Sequence, residues 1–310
     1  MLKQPASTTL DTTLGFAAIL LWSLNVALAR SLTEHLGTVT TAFLVYTGGG
    51  WVGMALFVSG GHVRDRLREF SVPYLLTCGS LFVLCLSSFY LALGQAADHL
   101  QVLTVGLLNY LWPTLILVFS VPLLKTRARL TLIPAVLIVT AGEALALMQG
   151  QEITLSVLKE SLIKGRLPFC LALVAALTWG LYSNFSRRFG AAAGKGAVPF
   201  FMLATGFAMG IYRLFVSEPT HLSPRTFLEL CGLIITTNFG YVFWDRAMRR
   251  GNMLLVVSAS YFIPLLSTLF ACLYLGIALR SGIVLAAAFI VAGALMAKHS
   301  VREDVPHTQL

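Results

Sequence analysis

Charge is what this sequence has least of. Only 11% of its 310 residues are Asp, Glu, Lys or Arg, against roughly 25% in an ordinary soluble domain. So few charges cannot cover a water-facing surface, and 57% hydrophobic residues exclude disorder. Metal and redox spacings are also missing. The five cysteines, Cys78, Cys85, Cys170, Cys231 and Cys272, stand singly in apolar stretches and read as small packing residues. His35, His62, His299 and His307 fall in connections or in the tail. No metal or other cofactor is therefore expected. Nor is there a Ser/His or paired-carboxylate set that would serve an intramembrane enzyme. No polar stretch is long enough for a separate soluble domain.

What the chain does have is apolar length. A bilayer span needs about 20 apolar residues, and ten stretches approach or reach that, at 14–31, 38–59, 72–94, 100–124, 130–148, 167–186, 197–216, 227–245, 252–275 and 282–298. Ala27-Leu28-Ala29 resembles a signal-peptidase site. The matching segment of the second half is internal, so 14–31 is read as a span. The longest connection, 151–166, places Leu155, Leu158 and Leu162 on one helical face. It is read as an amphipathic helix on the outer surface, with a solvated loop as the plainer alternative.

The net charge of +9 is distributed unequally. One set of span ends carries Lys3, Arg64/Arg66/Arg68, Lys125/Arg127/Arg129, Arg187/Arg188/Lys195, Arg246/Arg249/Arg250 and Lys298/Arg302, fifteen in all. The other carries Arg30, Lys159/Lys164/Arg166, Arg213/Arg225 and Arg280, seven in all. Cytoplasmic loops retain Lys and Arg, so both termini are expected in the cytoplasm. The charge is a topology signal, with the bilayer as partner and no nucleic acid.

The sequence also repeats itself. At an offset of 157, Trp22…Arg30 matches Trp179…Arg187, and Gly49/Gly53 matches Gly206/Gly210. At 151, Tyr90 matches Tyr241, Ala96 Ala247, Tyr110 Tyr261, Pro113 Pro264 and Gly142 Gly293. Five spans per half is an odd number, so the halves must be inverted. The expected layout is a first repeat at 1–148, a linker at 149–166, a second repeat at 167–298 and a cytoplasmic tail at 299–310. Inverted repeats with a midplane site between them are a secondary-transporter architecture. The Gly-xxx-Gly pairs permit close helix packing, or a hinge where the helix breaks or flexes during transport. Both readings stay open.

The polar and aromatic residues inside spans are the candidate substrate contacts. Asn109-Tyr110-Leu111-Trp112-Pro113 and Ser260-Tyr261-Phe262-Ile263-Pro264 each contain a proline that breaks the bond to the carbonyl four residues earlier. Paired broken spans are the best sequence pointer to a transport site. Around them belong Trp22, Asn25, Tyr46, Trp179, Tyr182, Asn238 and Tyr241, with Ser183 and Ser186 on the face of Trp179 and Tyr182. Trp51 and Trp244, near span ends, are read as interface anchors. Asp98 and Asp245 are read as loop residues. Glu143 is the deepest carboxylate; it either binds a coupling proton or reaches the outer interface, the second being preferred. With no symmetric buried charge, a strongly anionic substrate is disfavoured. A zwitterion held by carbonyls, amides and hydroxyls fits better.

These motifs resemble the drug/metabolite transporter superfamily, whose EamA-type members have ten spans from a duplicated five-span unit. Val105-Gly106-Leu107-Leu108-Asn109-Tyr110-Leu111-Trp112-Pro113, Ser260-Tyr261-Phe262-Ile263-Pro264 and Trp22 with Arg30 look like the YddG-type aromatic amino acid exporters. The resemblance covers nearly the whole chain. It implies a bacterial inner-membrane exporter of aromatic and other neutral amino acids, with Tyr110, Trp112, Trp179 and Ser260 lining the cavity. A monomer working by alternating access without ion coupling is expected; the alternative is a proton-coupled exporter of another metabolite or drug. One departure is that Leu124-Lys125-Thr126 and Leu275-Gly276-Ile277 stand where many members carry Leu-Gly-Glu.

Overall fold

The computed structural model describes residues 6–148, 165–190, 196–275 and 282–302. Most of the expected surface helix at 149–166 and the tail beyond Arg302 lie outside them. All ten apolar stretches are helical, as backbone polar groups without water require. In order they are α1 (Ala6–Leu36), α2 (Thr38–Ser59), the short α3 (Val63–Arg68), α4 (Gly79–Gln95, continuing a π-helical turn at Tyr74–Cys78), α5 (His99–Asn109), α6 (Trp112–Leu124), α7 (Leu132–Met148), α8 (Arg166–Gly190), α9 (Val198–Arg213), α10 (Pro224–Arg250), α11 (Met253–Ser260), α12 (Ile263–Leu275) and α13 (Gly282–Ser300). α5 and α6 form one span broken at Tyr110–Leu111, and α11 and α12 meet at an angle of 47°.

By length and composition, seven described helices can cross a bilayer, and the bent pair makes an eighth. The other two, α7 and α9, have 17 and 16 residues. At 1.5 Å per residue that is about 24–26 Å, short of the roughly 30 Å hydrocarbon core. Exposed Leu214 and Phe215 prolong the apolar surface of α9. The ten-span expectation thus rests on eight clear spans and two short ones.

The surface and interior are chemically inverted relative to a soluble protein. Leu76, Leu137, Phe207 and Val284 point outward, while Ser183, Asn184, Thr205, Asp245 and Arg249 are buried. That distribution suits a lipid solvent, where polar groups must face one another or a wet cavity. Helices pair across the chain: α1 packs on α10 and α4 on α8, α2 on α10 and α9 on α4, and α12 on α1 and α6 on α8. The remaining large contacts, α2 with α9 and α7 with α13, join corresponding helices of the two halves.

Glycine permits those last two contacts. A Cβ on Gly206 would lie 2.7 Å from the Thr47 backbone nitrogen, and one on Gly50 would lie 2.9 Å from that of Leu203. On Gly293 and Gly142 it would meet the Val139 and Ile290 nitrogens at 2.8 and 2.9 Å. Backbones this close exclude any larger side chain.

The expectation that the Gly-xxx-Gly pairs break their helices is corrected here. α2 runs unbroken through Gly49 and Gly53, and α9 runs unbroken through Gly206 and Gly210. Each glycine instead makes room for a neighbour. The Phe43 ring of α2 fills the space beside Gly210, where a Cβ would come within 2.9 Å of it. Pro199 and the Asn238 side chain lie against Gly53, and the Met202 methyl lies against Gly49. A missing Cβ does not by itself interrupt the backbone hydrogen bonds of a helix, whereas a missing amide does. The breaks accordingly fall beside Pro113 and Pro264, each the second residue of a restarted helix.

Beside α7 and α13, two-residue strands β1 (Arg127–Ala128) and β2 (Val301–Arg302) pair antiparallel, Arg127 opposite Arg302. They tie the α6–α7 connection to the end of α13.

Candidate functional site

The Pro113 ring removes the amide that would have reached the Asn109 carbonyl, so α5 ends there and α6 restarts at Trp112. The break brings Asn109, Tyr110 and Trp112 to the wall of a cavity of about 700 Å³, within the usual range for small-molecule sites. α1 contributes Trp22 and Asn25, α2 Tyr46, α8 Trp179 and α10 Tyr241. Eight of the twelve expected substrate contacts therefore meet at one cavity.

Its floor is aromatic. Trp22 lies with its ring centroid 6.3 Å from Trp112, 5.8 Å from Trp179 and 5.3 Å from Tyr241. These are edge-on or tilted contacts of the kind that rings prefer. The Tyr46 and Tyr241 hydroxyls approach to 3.4 Å. Asn25 is fixed between Thr236 and Thr237 of α10. Walking up α1 from Trp22, the lining passes Val26 and Ala29 to Arg30, Thr33 and Glu34. The Arg30 and Glu34 side chains are 68% and 61% exposed, so the cavity opens at this end.

The opposite end is sealed. Asp245, buried, accepts hydrogen bonds from Tyr74 Oη (3.3 Å), Tyr182 Oη (3.0 Å) and Ser186 Oγ (2.6 Å). Arg249 Nε donates to the other oxygen at 2.7 Å, and its Nη1 reaches the Gly190 carbonyl. Tyr74 Oη in turn accepts from the Ala197 amide. Three segments, from both halves of the chain, converge on one carboxylate.

Four expected contacts stand outside the cavity. Tyr182 belongs to the sealed end. Ser260 turns its hydroxyl back to the Val257 carbonyl at 2.7 Å, satisfying a group near the helix break. Tyr261 pairs with Thr114 at 2.9 Å. Asn238 is buried with neither side-chain polar atom in a hydrogen bond, against the face of Gly53.

Three other expectations are corrected. Trp244 is no interface anchor: it is fully buried, 5.1 Å from both Trp22 and Trp112, and donates to Ser183 Oγ. Asp245 is no loop residue but sits inside α10. Glu143 does not reach an interface; it is buried, and its Oε1 has no hydrogen-bond partner among the described residues. Trp51 is exposed on α2, and Asp98 caps α5 through the Gln101 amide.

Sequence reasoning missed the α4 wall, Cys85, Leu86, Phe89 and Tyr90. The signal was present, since Tyr90 is the repeat counterpart of Tyr241, and 86, 89, 90 and 93 share one helical face.

Comparison with known proteins follows the same outline. Residues 166–298 match the EamA-like transporter family. Over 92% of its length the chain is 32% identical to an aromatic amino acid exporter, YddG, of Ancylobacter novellus, covering 96% of that protein. It is 29% identical to the YddG exporter of Escherichia coli K12, covering 95% of it. A crystal structure with 30% identity superposes with a TM-score of 0.77, covering 93% of this chain and 96% of the other. The chain belongs to the YddG branch of the EamA-like transporter family. This EamA-like chain is accordingly a polytopic membrane transporter and not an enzyme. The family match begins at the first residue of α8, so it covers Trp179 and Tyr241 of the floor. The likeness to the two exporters extends across the first half as well, where Trp22, Tyr110 and Trp112 lie.

Proposed function

We propose that this protein exports aromatic and other neutral amino acids across the bacterial inner membrane. The observation that carries the reading is the aromatic-floored cavity, open at one end and sealed at the other by a buried polar network. A ring or apolar side chain rests on Trp22, Trp112, Trp179 and Tyr241. The Asn109 amide and the carbonyl freed by Pro113 offer polar contacts without fixed charge, as a zwitterion needs. The named activity of the YddG relatives agrees with that chemistry.

In this reading the two halves, 1–148 and 167–298, are inverted repeats that exchange conformations, and access alternates between the two ends. Both termini are cytoplasmic, as the positive-inside count indicates. The cavity mouth at Arg30 then faces outward, and the carrier works as a monomer. The amino acid moves down its own gradient. A proton-coupled exporter of another metabolite or drug is the second reading, and buried Glu143, whose Oε1 has no hydrogen-bond partner among the described residues, is the observation that favours it.

The test is uptake of labelled Phe, Trp or Met by liposomes holding the purified protein, with and without a pH gradient. Uptake in the absence of a gradient is expected. Failure to take up any amino acid would overturn the proposal, and uptake only with the gradient would replace it by the second reading.

A further inference from the structure

Every charged side chain that lines the cavity, among the described residues, belongs to one pair. Arg30 and Glu34 are its only charged lining residues among those described, one turn apart on α1, with Arg30 Nε 3.1 Å from Glu34 Oε1. The floor, by contrast, is made of rings and an amide. A free amino acid carries two opposite charges on neighbouring groups of a single carbon, and the floor holds no counter-charge for either.

We propose that Arg30 and Glu34 form a zwitterion-docking subsite at the cavity mouth. Resting on the export function above, it assigns the charged head group of the cargo a place of its own. The Arg30 guanidinium takes the carboxylate and Glu34 takes the ammonium group. The ligand class is a small molecule with adjacent free ammonium and carboxylate groups and an uncharged side chain.

Three features support the assignment. The pair is complementary in sign and spacing to the ligand, and a guanidinium suits a carboxylate bidentately. Because both side chains are largely in water, their mutual attraction is weak. Exchanging each partner for the opposite charge of a zwitterion therefore costs little. The pair also stands at the right height. Eight residues separate Trp22 from Arg30, about 12 Å along the helix axis. The reach of an arginine side chain shortens that gap to the length of an extended aromatic amino acid. The head group then sits at the pair while the ring points to the floor.

The experiment is competition against labelled Phe uptake in liposomes. Its competitors are Phe, phenylalanine amide, which lacks the carboxylate, and 3-phenylpropionate, which lacks the ammonium group. The wild type should prefer Phe over both. Arg30→Ala and Glu34→Ala should each raise the KM for Phe by about two- to fivefold, the scale of one largely exposed ion pair, with little change in maximal rate. Arg30→Ala should also abolish the preference over the amide, and Glu34→Ala that over phenylpropionate. Arg30→Lys and Glu34→Asp, which keep the charges, should stay close to the wild type. Both sites are exposed, so the variants should elute as the wild type does on size exclusion. Unchanged KM and unchanged preferences in the alanine variants would overturn the subsite. So would a loss as large in the charge-keeping variants as in the alanine ones. A wild-type protein that takes up no amino acid would instead overturn the export function itself.

Discussion

The two ends of this molecule use the same kinds of residue to opposite effect. At the open end, beyond the lining pair Arg30 and Glu34, ionic groups tie neighbouring helix ends together. Glu218 caps the start of α2 by accepting from the Val39 and Thr40 amides at 2.9 and 2.7 Å, and Arg213 donates to Thr40. Arg225 and Glu229 pair within α10. None of these contacts crosses the cavity. At the sealed end one ion pair stands in the middle of the bundle, with three hydroxyls from two segments aimed at it. An exposed pair is worth about 0–1 kcal/mol. Removing one partner of a buried pair costs roughly 3–5 kcal/mol, because the other is left uncompensated. Burial, not composition, makes one end a mouth and the other a plug.

The comparison breaks most directly at Asp245. Asp245→Ala strands Arg249 and leaves Tyr74, Tyr182 and Ser186 without their shared acceptor. It should destabilise the folded protein by about 3–5 kcal/mol, read as a large fall in thermal midpoint in detergent. Arg30→Ala, the matching deletion at the mouth, should leave the midpoint almost unmoved. Equal shifts for the two variants would mean that the plug is no tighter than the mouth.

That plug was the least legible part of the sequence, and the reason is a boundary. The apolar stretch of the eighth span ends at Asp245, but α10 runs on to Arg250. The extra turn draws Trp244 and Asp245 inward, from an interface to the core. Hydropathy stops at the first arginine cluster, whereas the helix continues because Asp245 and Arg249, four apart, neutralise each other on a buried face. The floor was easier to read. Trp22, Trp112 and Trp179 lie far from any span end, where an anchor has no use, and Pro113 marks the break that exposes Asn109. Glu143 misled for a third reason. Its burial comes from neighbouring helices, and no periodicity within α7 announces them. For the glycine pairs the close-packing reading holds and only the helix-breaking one fails, because the space beside Gly210 is occupied by the Phe43 ring of another helix. The repeat also led too far. It led to the expectation that Ser260 and Tyr261 line the cavity as Tyr110 does, yet of the second broken span only Ile263 reaches it. Under alternating access such asymmetry is required, since a cavity open at one end cannot be lined equally by both halves.

A second break concerns the floor. Trp179→Ala and Tyr110→Ala remove a wall of the cavity and leave every hydrogen bond of the plug in place, although Trp179 stacks on Tyr182 with ring centroids 4.9 Å apart. Buried aromatic anchors cost about 2 kcal/mol or more when truncated, so Phe uptake at low concentration should fall by roughly tenfold or more. Uptake is read per amount of folded protein, since truncating the buried Trp179 ring costs about 3–5 kcal/mol of stability. If both variants transport as the wild type does, the cavity is not the substrate site.

Trp244→Phe should do the reverse. It keeps a ring against Trp22 and Trp112 but loses the donor to Ser183, a contact worth about 1 kcal/mol. A small fall in thermal midpoint with near-normal uptake is expected, because Trp244 lies behind the floor rather than on the cavity surface. Uptake that falls as far as in Trp179→Ala would move Trp244 into the site.

The smallest effect is expected at Glu143, and it sharpens the comparison most. Asp245 and Glu143 are both buried carboxyls, but the first has an arginine and three hydroxyl donors, and the second leaves an oxygen unpaired. An unpaired carboxyl away from water is far cheaper as the neutral acid than as the anion. Glu143→Gln replaces that acid by a neutral group of the same shape. Stability should then change little, because neither the size nor the neutral charge of the side chain is altered. Uptake without a gradient should persist at the wild-type rate. A variant that folds normally yet loses uptake would show that the proton on Glu143 must come and go. The carrier would then be coupled to protons, and the plug at Asp245 would open in step with the titration of a residue in the other half.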